Sequence, residues 1–249
     1  MKVLCLVMAA TLGGGMTHLQ GQGFTWQEIP GARWAALPVP VNGKIGFTSL
    51  PPEQTKVSFT NTLDEWPAAA NRVLLNGSGV AVGDYDNDGW PDIFFCSLNG
   101  RNTLERNLGG WRFEDVTAQA GLKRDSRFYR GAVFADVNGD GTLDLLVCVV
   151  GGGVECFLNN GQGKFSNGTA PARLISQLGS MTLALADTDG NGTLDLYVAN
   201  NRSDDIRDRG QVNLQLVNGQ VKIPSELKDR LLVVNGQVLE YGEPDQLYL

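Results

Sequence analysis

Histidine is nearly absent: the 249 residues hold a single one, His18. A Ser-His-Asp triad, a Cys-His nucleophile pair in a mature domain and a multi-histidine metal site are thereby excluded. Positive charge is also short, with 20 Lys and Arg against 27 Asp and Glu and a net charge of −7. Nucleic acid and anionic membrane surfaces both require a basic face, so neither is expected as a partner. No run approaches the ~18 apolar residues of a spanning helix, so no membrane span is expected. An Arg-Gly-Asp tripeptide is lacking too.

Cysteine is scarce, with Cys5, Cys96, Cys148 and Cys156 making the whole set. Cys5 lies in a segment of special character. Lys2 precedes an apolar run over 3–12, followed by small residues, which is the pattern of a secretory signal peptide over 1–23. The expected location is therefore secreted, periplasmic or cell-surface. Removing the leader takes His18 and Cys5 with it and leaves three cysteines, an odd number and a poor disulfide framework. Cys148 and Cys156 flank Gly151, Gly152 and Gly153. Two readings stand: a bond across a hairpin, or small buried apolar residues.

What the chain does have is glycine, 32 residues, well above the usual share of about 7%. Many turns and a β-rich fold follow. With 42% hydrophobic residues the chain can bury a core.

The glycines fall in a repeat. Asp84-Tyr85-Asp86-Asn87-Asp88-Gly89-Trp90-Pro91-Asp92 aligns with Asp136-Val137-Asn138-Gly139-Asp140-Gly141-Thr142-Leu143-Asp144 and with Asp187-Thr188-Asp189-Gly190-Asn191-Gly192-Thr193-Leu194-Asp195. Small apolar residues precede each copy, and a β-branched or aromatic run follows it, as strands require. Asn107-Leu108-Gly109-Gly110-Trp111-Arg112-Phe113 likewise aligns with Asn159-Asn160-Gly161-Gln162-Gly163-Lys164-Phe165, a glycine turn closing on an aromatic residue. One unit reads strand, acidic loop, strand, strand, glycine turn, strand. The expected fold is all-β, built of β-propeller blades that are four-stranded antiparallel sheets.

The expected organisation is a leader over 1–23, an N-terminal lead-in with possible closure strands over 24–77, and repeats over 78–249. The blades fall at about 78–130, 131–180 and 181–249, the last carrying an insertion at about 201–244. Within it, Val-Asn-Gly-Gln-Val occurs at 217–221 and 234–238 and predicts two hairpins, and 224–230 predicts a short helix. Residues 71–77 read as a strand of a preceding blade that helps close the ring. Three blades fall short of the ~4–8 that close a propeller. The propeller is therefore expected to be incomplete, from a fragment or a truncated product, or else closed by a partner chain or a domain of unusual design.

In each acidic loop, oxygen side chains at positions one, three, five and nine, a glycine at six and a carbonyl at seven suit a hard cation. Calcium takes 6–8 oxygens in flexible geometry, whereas magnesium demands a tight octahedron. The candidate ligands are Asp84, Asp86, Asp88, the carbonyl of Trp90 and Asp92. In the second loop they are Asp136, Asn138, Asp140, the carbonyl of Thr142 and Asp144. In the third they are Asp187, Asp189, Asn191, the carbonyl of Thr193 and Asp195. About three calcium ions are expected. An EF-hand needs glutamate at position twelve, where this chain has Phe95, Val147 and Val198. Plain solvated turns are the alternative for one such loop, but three in phase argue against it.

The pattern D-x-[DN]-x-[DN]-G-x-x-D between strands resembles the FG-GAP/VCBS repeat of integrin α-chain propellers and secreted bacterial proteins. The flanking text Gly79-Val80-Ala81-Val82-Gly83, Asn102-Thr103-Leu104, Phe113-Glu114-Asp115-Val116-Thr117 and Ala120-Gly121-Leu122 is similar to VCBS-repeat proteins that carry an ASPIC/UnbV domain, relatives of cartilage acidic protein. The resemblance implies structural calcium at the matching residues. The chain shows neither further blades nor an ASPIC/UnbV domain.

The resulting expectation is an exported calcium-binding propeller scaffold for protein or glycan binding or adhesion, not an enzyme. A calcium-containing propeller enzyme such as a polysaccharide lyase, and a ligand-free structural module, are the alternatives. Three smaller signals remain. Sequons at Asn76, Asn167, Asn191 and Asn201 read as chance, Lys123, Arg124, Arg127 and Arg130 as a solvated basic face, and Trp26, Trp34 and Trp66 as aromatics packed on the first blade.

Overall fold

A computed structural model describes residues 27–29, 32–34, 47–122, 127–210 and 212–249. The leader, His18, Cys5, Trp26, Lys123 and Arg124 lie outside them. The chain divides into two units, 1–50 and 51–249. In the first, β1 (Gln27–Ile29) and β2 (Ala32–Trp34) form an antiparallel hairpin.

The second unit opens with two short helices, α1 (Pro52–Thr55) and α2 (Glu65–Ala70). Three antiparallel sheets follow. The first is a meander of β3 (Val80–Gly83), β4 (Asp92–Phe95), β5 (Thr103–Asn107) and β6 (Phe113–Asp115). The second repeats it with β7 (Tyr129–Ala135), β8 (Asp144–Val149), β9 (Gly153–Asn159) and β10 (Phe165–Asn167). The third has β11 (Ser180–Ala186) and β12 (Asp195–Asn200). After them come the hairpins β13 (Gln215–Val217) with β14 (Gln220–Lys222), and β15 (Leu231–Val234) with β16 (Gln237–Glu240). Strand β17 (Gln246–Tyr248) then rejoins β12. Both hairpins turn on Asn-Gly pairs with positive φ at each residue, Asn218-Gly219 and Asn235-Gly236, as two-residue turns require. Residues 225–227 form a single 3-10 turn.

The sheets stack face to face. Leu145, Val147 and Val149 of β8 pack with Ala81, Phe94 and Leu104 of the first sheet. Leu146 and Cys148, pointing the other way, pack with Leu196 and Val198 of the third. Strand β8 is thus buried on both faces, which explains its unbroken apolar run. The first strands lie side by side, β3 against β7 and β7 against β11. The architecture is all-β, with propeller-type blades arranged around their first strands, and the described residues do not close a ring.

Glycine permits this approach. A Cβ on Gly79 would lie 2.9 Å from the carbonyl oxygen of Arg130, and one on Gly131 would lie 2.7 Å from that of Met181. Each meets backbone of the next sheet, which has nowhere to move. Gly131→Ala is expected to cost about 1–3 kcal/mol, read as a lowered urea midpoint. An unchanged midpoint would mean that the two sheets do not meet this closely.

Residues 71–77 are not a strand, contrary to the sequence reading. They form a 3-10 turn over Arg72–Asn76 because the Asn71 side chain caps it, accepting from the Val73 N–H at 3.1 Å. Arg130 reinforces the turn by donating to the carbonyls of Val73 and Gly77. Arg130 is therefore buried and structural, and not part of a solvated face. Arg127 pairs with Glu155 and lies over the Tyr129 ring. The turn also meets the segment after β12: Asn71 donates to the Ser203 carbonyl at 2.8 Å, and Arg72 pairs with Asp208 at 2.6 Å. Trp66 is exposed, against the expectation of burial. Phe59, stacked on Phe95 at 4.7 Å, is an aromatic from the lead-in that does cover the first sheet.

The cysteine question is also decided. Cys148 faces Val154 and Cys156 faces Leu146, so the two are not opposite each other. Cys96, Cys148 and Cys156 are free and buried. Burial pushes the Cys96 and Cys148 thiols up to about 12 and that of Cys156 to about 11, so none is a reactive thiolate at neutral pH.

Candidate metal centre

The three acidic loops occupy equivalent places, joining β3 to β4, β7 to β8 and β11 to β12. Each turns through two left-handed residues. Position six is Gly89, Gly141 or Gly192, with φ of 92°, 85° and 88°. Position four is Asn87, Gly139 or Gly190, with φ of 57°, 75° and 76°. Asparagine and glycine are the residues that tolerate this region, so position four is as constrained as the glycine that the motif advertises.

The turn directs carboxylates inward against the loop's own amides. Asp84 accepts from Asp88 and Gly89 N–H at 3.1 and 2.9 Å. Asp136 accepts from Gly139, Asp140 and Gly141 at 2.7, 3.1 and 2.9 Å. Asp187 repeats this with Gly190, Asn191 and Gly192. At position five, Asp88, Asp140 and Asn191 accept the N–H of Trp90, Thr142 and Thr193. At position three, Asn138 and Asp189 accept the N–H of Asp140 and Asn191.

Position nine does something the motif did not announce. Asp92 accepts from Tyr85 N–H at 3.1 Å and from Asn107 N–H at 2.8 Å. Asp144 accepts from Val137 at 3.1 Å and from Asn159 at 2.8 Å. Each carboxylate thus ties the loop to the end of the third strand, and both are 0% exposed. Asn159 donates to the carbonyl of Leu143 in its own loop at 3.0 Å and extends the tie to the first sheet's loop by donating to that of Tyr85 at 2.7 Å. Asn107 and Asn159 were visible in the repeat alignment as turn residues, but their role in holding the loop was not.

The third loop differs. Asp195 accepts from Thr188 through one oxygen, while its Oδ1 is buried without a partner. By register, Leu249 stands opposite Asp195, as Arg106 and Leu158 stand opposite Asp92 and Asp144. In the first loop, Asp86 Oδ1 is likewise buried and unpartnered.

The structure gathers Asp84, Asp86 and Asp88 so that one oxygen of each lies within 4.8 Å of the others, and it does the same for Asp187, Asp189 and Asp195. Asp92 stands outside the first group. In the second loop, Asp140 is drawn to Thr142 and Asn138, Asp144 is held as above, and no three-carboxylate cluster forms there among the described residues.

Burial pushes Asp92 up to about 7, against the lowering effect of its two amide donors, and raises Asp144 in the same direction. Asp195 instead sits low, held chiefly by the Thr188 hydroxyl. Asp195 is buried, but its hydrogen bonds from Thr188 outweigh desolvation. The Thr142 hydroxyl likewise lowers Asp140. Crowded carboxylates, two of them buried at a cost to their charge, and the buried Asp86 oxygen without a partner among the described residues form a donor set that fits a hard divalent cation.

Residues 84–147 and 144–198 match the FG-GAP-like repeat family. Cartilage acidic protein 1 of Xenopus tropicalis is 31% identical over 127 residues, which cover 50% of this chain and 20% of that protein. The proteins of the same name from Mus musculus and Homo sapiens are each 30% identical over 127 residues, covering 20% and 19% of their lengths. The chain thus matches about a fifth of the length of these curated relatives. Residues 84–198, with their three acidic loops and propeller-type sheets, are thus the part of the chain that is similar to FG-GAP-like repeats.

Proposed function

We propose that the chain is an exported, calcium-stabilised propeller module that serves as a scaffold for protein or glycan binding, with calcium structural and not catalytic. One observation carries the reading: three loops in phase turn oxygens inward, two of them gather one oxygen from each of three aspartates within 4.8 Å, and Asp86 Oδ1 is buried with no partner among the described residues. The side-chain ligands are Asp84, Asp86, Asp88 and Asp92, then Asp136, Asn138, Asp140 and Asp144, then Asp187, Asp189, Asn191 and Asp195. The carbonyls of Trp90, Thr142 and Thr193 complete them. Bound calcium supplies the positive charge that lets these carboxylates converge, and its affinity becomes folding stability by linkage.

An extracellular or cell-surface setting suits weak sites, because calcium is plentiful there. No helix among the described residues is long and apolar enough to cross a membrane. The leader over 1–23, the lead-in to 77 and the division into blades at about 130 and 180 belong to the same proposal.

Titrating the full chain with calcium by calorimetry is expected to show about three sites with dissociation constants of about 10⁻⁴–10⁻³ M. Asp140→Ala is expected to remove one. Absence of any binding heat overturns the calcium reading. Glycan and surface-protein arrays probed with and without chelator then test the scaffold: calcium-dependent binding supports it, and silence on both arrays favours a purely structural module.

A further inference from the structure

The first loop differs from the other two in a way that the motif hides. Its four aspartates, Asp84, Asp86, Asp88 and Asp92, exceed by one the three acids of each other loop, where Asn138 or Asn191 takes a carboxylate's place. Beside it stands Arg106 on β5. Its Nε lies 2.6 Å from Asp86 Oδ2, and its Nη2 lies 2.9 Å from Asp88 Oδ2. Strand register fixes the equivalent positions. Ile93 faces Glu105, Leu145 faces Phe157 and Leu196 faces Tyr248, so the counterparts of Arg106 are Leu158 and Leu249. Neither leucine can supply charge.

From this juxtaposition we propose that Arg106 is a resident cation of the first loop, which holds that loop closed without metal and makes it the weakest of the three calcium sites. The inference rests on the calcium reading above. Arg106 takes one oxygen from each of two ligand side chains. The second Asp88 oxygen is already accepting the Trp90 N–H at 2.9 Å, and the second Asp86 oxygen stays buried and unpartnered. A divalent ion entering here meets a fixed positive charge that offsets the extra carboxylate, and it must also displace Arg106 from the Asp86 and Asp88 oxygens it needs. The cluster carries the same net charge with its arginine as the other loops do without one. The added aspartate therefore does not mark a stronger site.

The test uses the full chain and the metal alone. Trp90 lies inside the first loop, and the other two loops contain no tryptophan, so terbium luminescence excited through indole and displaced by calcium reports this loop. Calorimetry with calcium counts all three. In Arg106→Leu, which installs the residue found at 158, calcium affinity at the first loop is expected to rise about tenfold, since ligand charge tunes such sites. The metal-free melting temperature of that variant is expected to fall. Arg106→Lys keeps the charge and is expected to stay near the parent affinity. Arg106 is partly exposed, and Arg106→Gln provides a second neutral variant should the leucine disturb folding. If both neutral variants leave the first loop's affinity unchanged or weaken it, Arg106 is not a competitor and the inference is wrong, although calcium binding at 136–144 and 187–195 still stands. If those two loops bind no calcium, the calcium reading itself falls, and this inference with it.

Discussion

Chelating calcium is expected to lower the melting temperature of this protein by about 10 °C, on the following magnitudes. A site with a dissociation constant of about 10⁻⁴ M contributes about 1.4 kcal/mol at roughly 1 mM calcium. Three such sites give about 4 kcal/mol, and each kcal/mol moves the midpoint of a domain this size by about 2–4 °C. Restoring calcium is expected to recover the shift. Magnesium at the same concentration is expected to recover less, because it gives up its water reluctantly and demands near-ideal octahedral geometry. Sodium chloride screens the carboxylates without ligating them and should recover little. Scanning calorimetry in calcium and in chelator checks this directly. Coincident melting curves would eliminate calcium as a structural element.

The second large effect separates two kinds of aspartate that the motif treats alike. Asp144→Ala removes both acceptors of the Val137 and Asn159 amides from a site that is 0% exposed. An unsatisfied buried donor costs about 1–3 kcal/mol. Burial raises Asp144, so deleting its charge offsets part of the loss. The net expectation is about 2–4 kcal/mol of destabilisation, present even in chelator. Asp140 is exposed and its partners are local. Asp140→Ala should therefore cost stability mainly when calcium is present. Urea unfolding of both variants, with and without calcium, gives the four numbers needed. Equal losses in chelator would show that Asp144 is no more of a latch than Asp140.

Much of this molecule was written locally. The oxygen spacing, the position-six glycines, the apolar position twelve and the Asn-Gly hairpin turns each involve residues within a few positions of one another. Their chemistry follows from φ preferences and side-chain reach. Three copies in phase then implied stacked sheets, since one such unit cannot bury its own faces. The reading of 71–77 as a strand failed for a nonlocal reason. Its composition suited a strand, but Asn71 caps a turn whose carbonyls Arg130 holds from more than fifty residues away.

By itself, then, the sequence determined the strand-loop-strand units, the place of the acidic loops with their candidate ligands and the acidity, ten of whose 27 carboxylates lie in the three loops. Only the tertiary structure decided which candidate ligands are also latches, that Cys148 and Cys156 stay free, and that Arg106 answers Asp86 and Asp88. Each of these depends on what another strand brings to the position. Hydrogen-bond donors and counter-charges act over a few ångströms in space, and the chain order that places them there becomes visible only when the sheets are assembled.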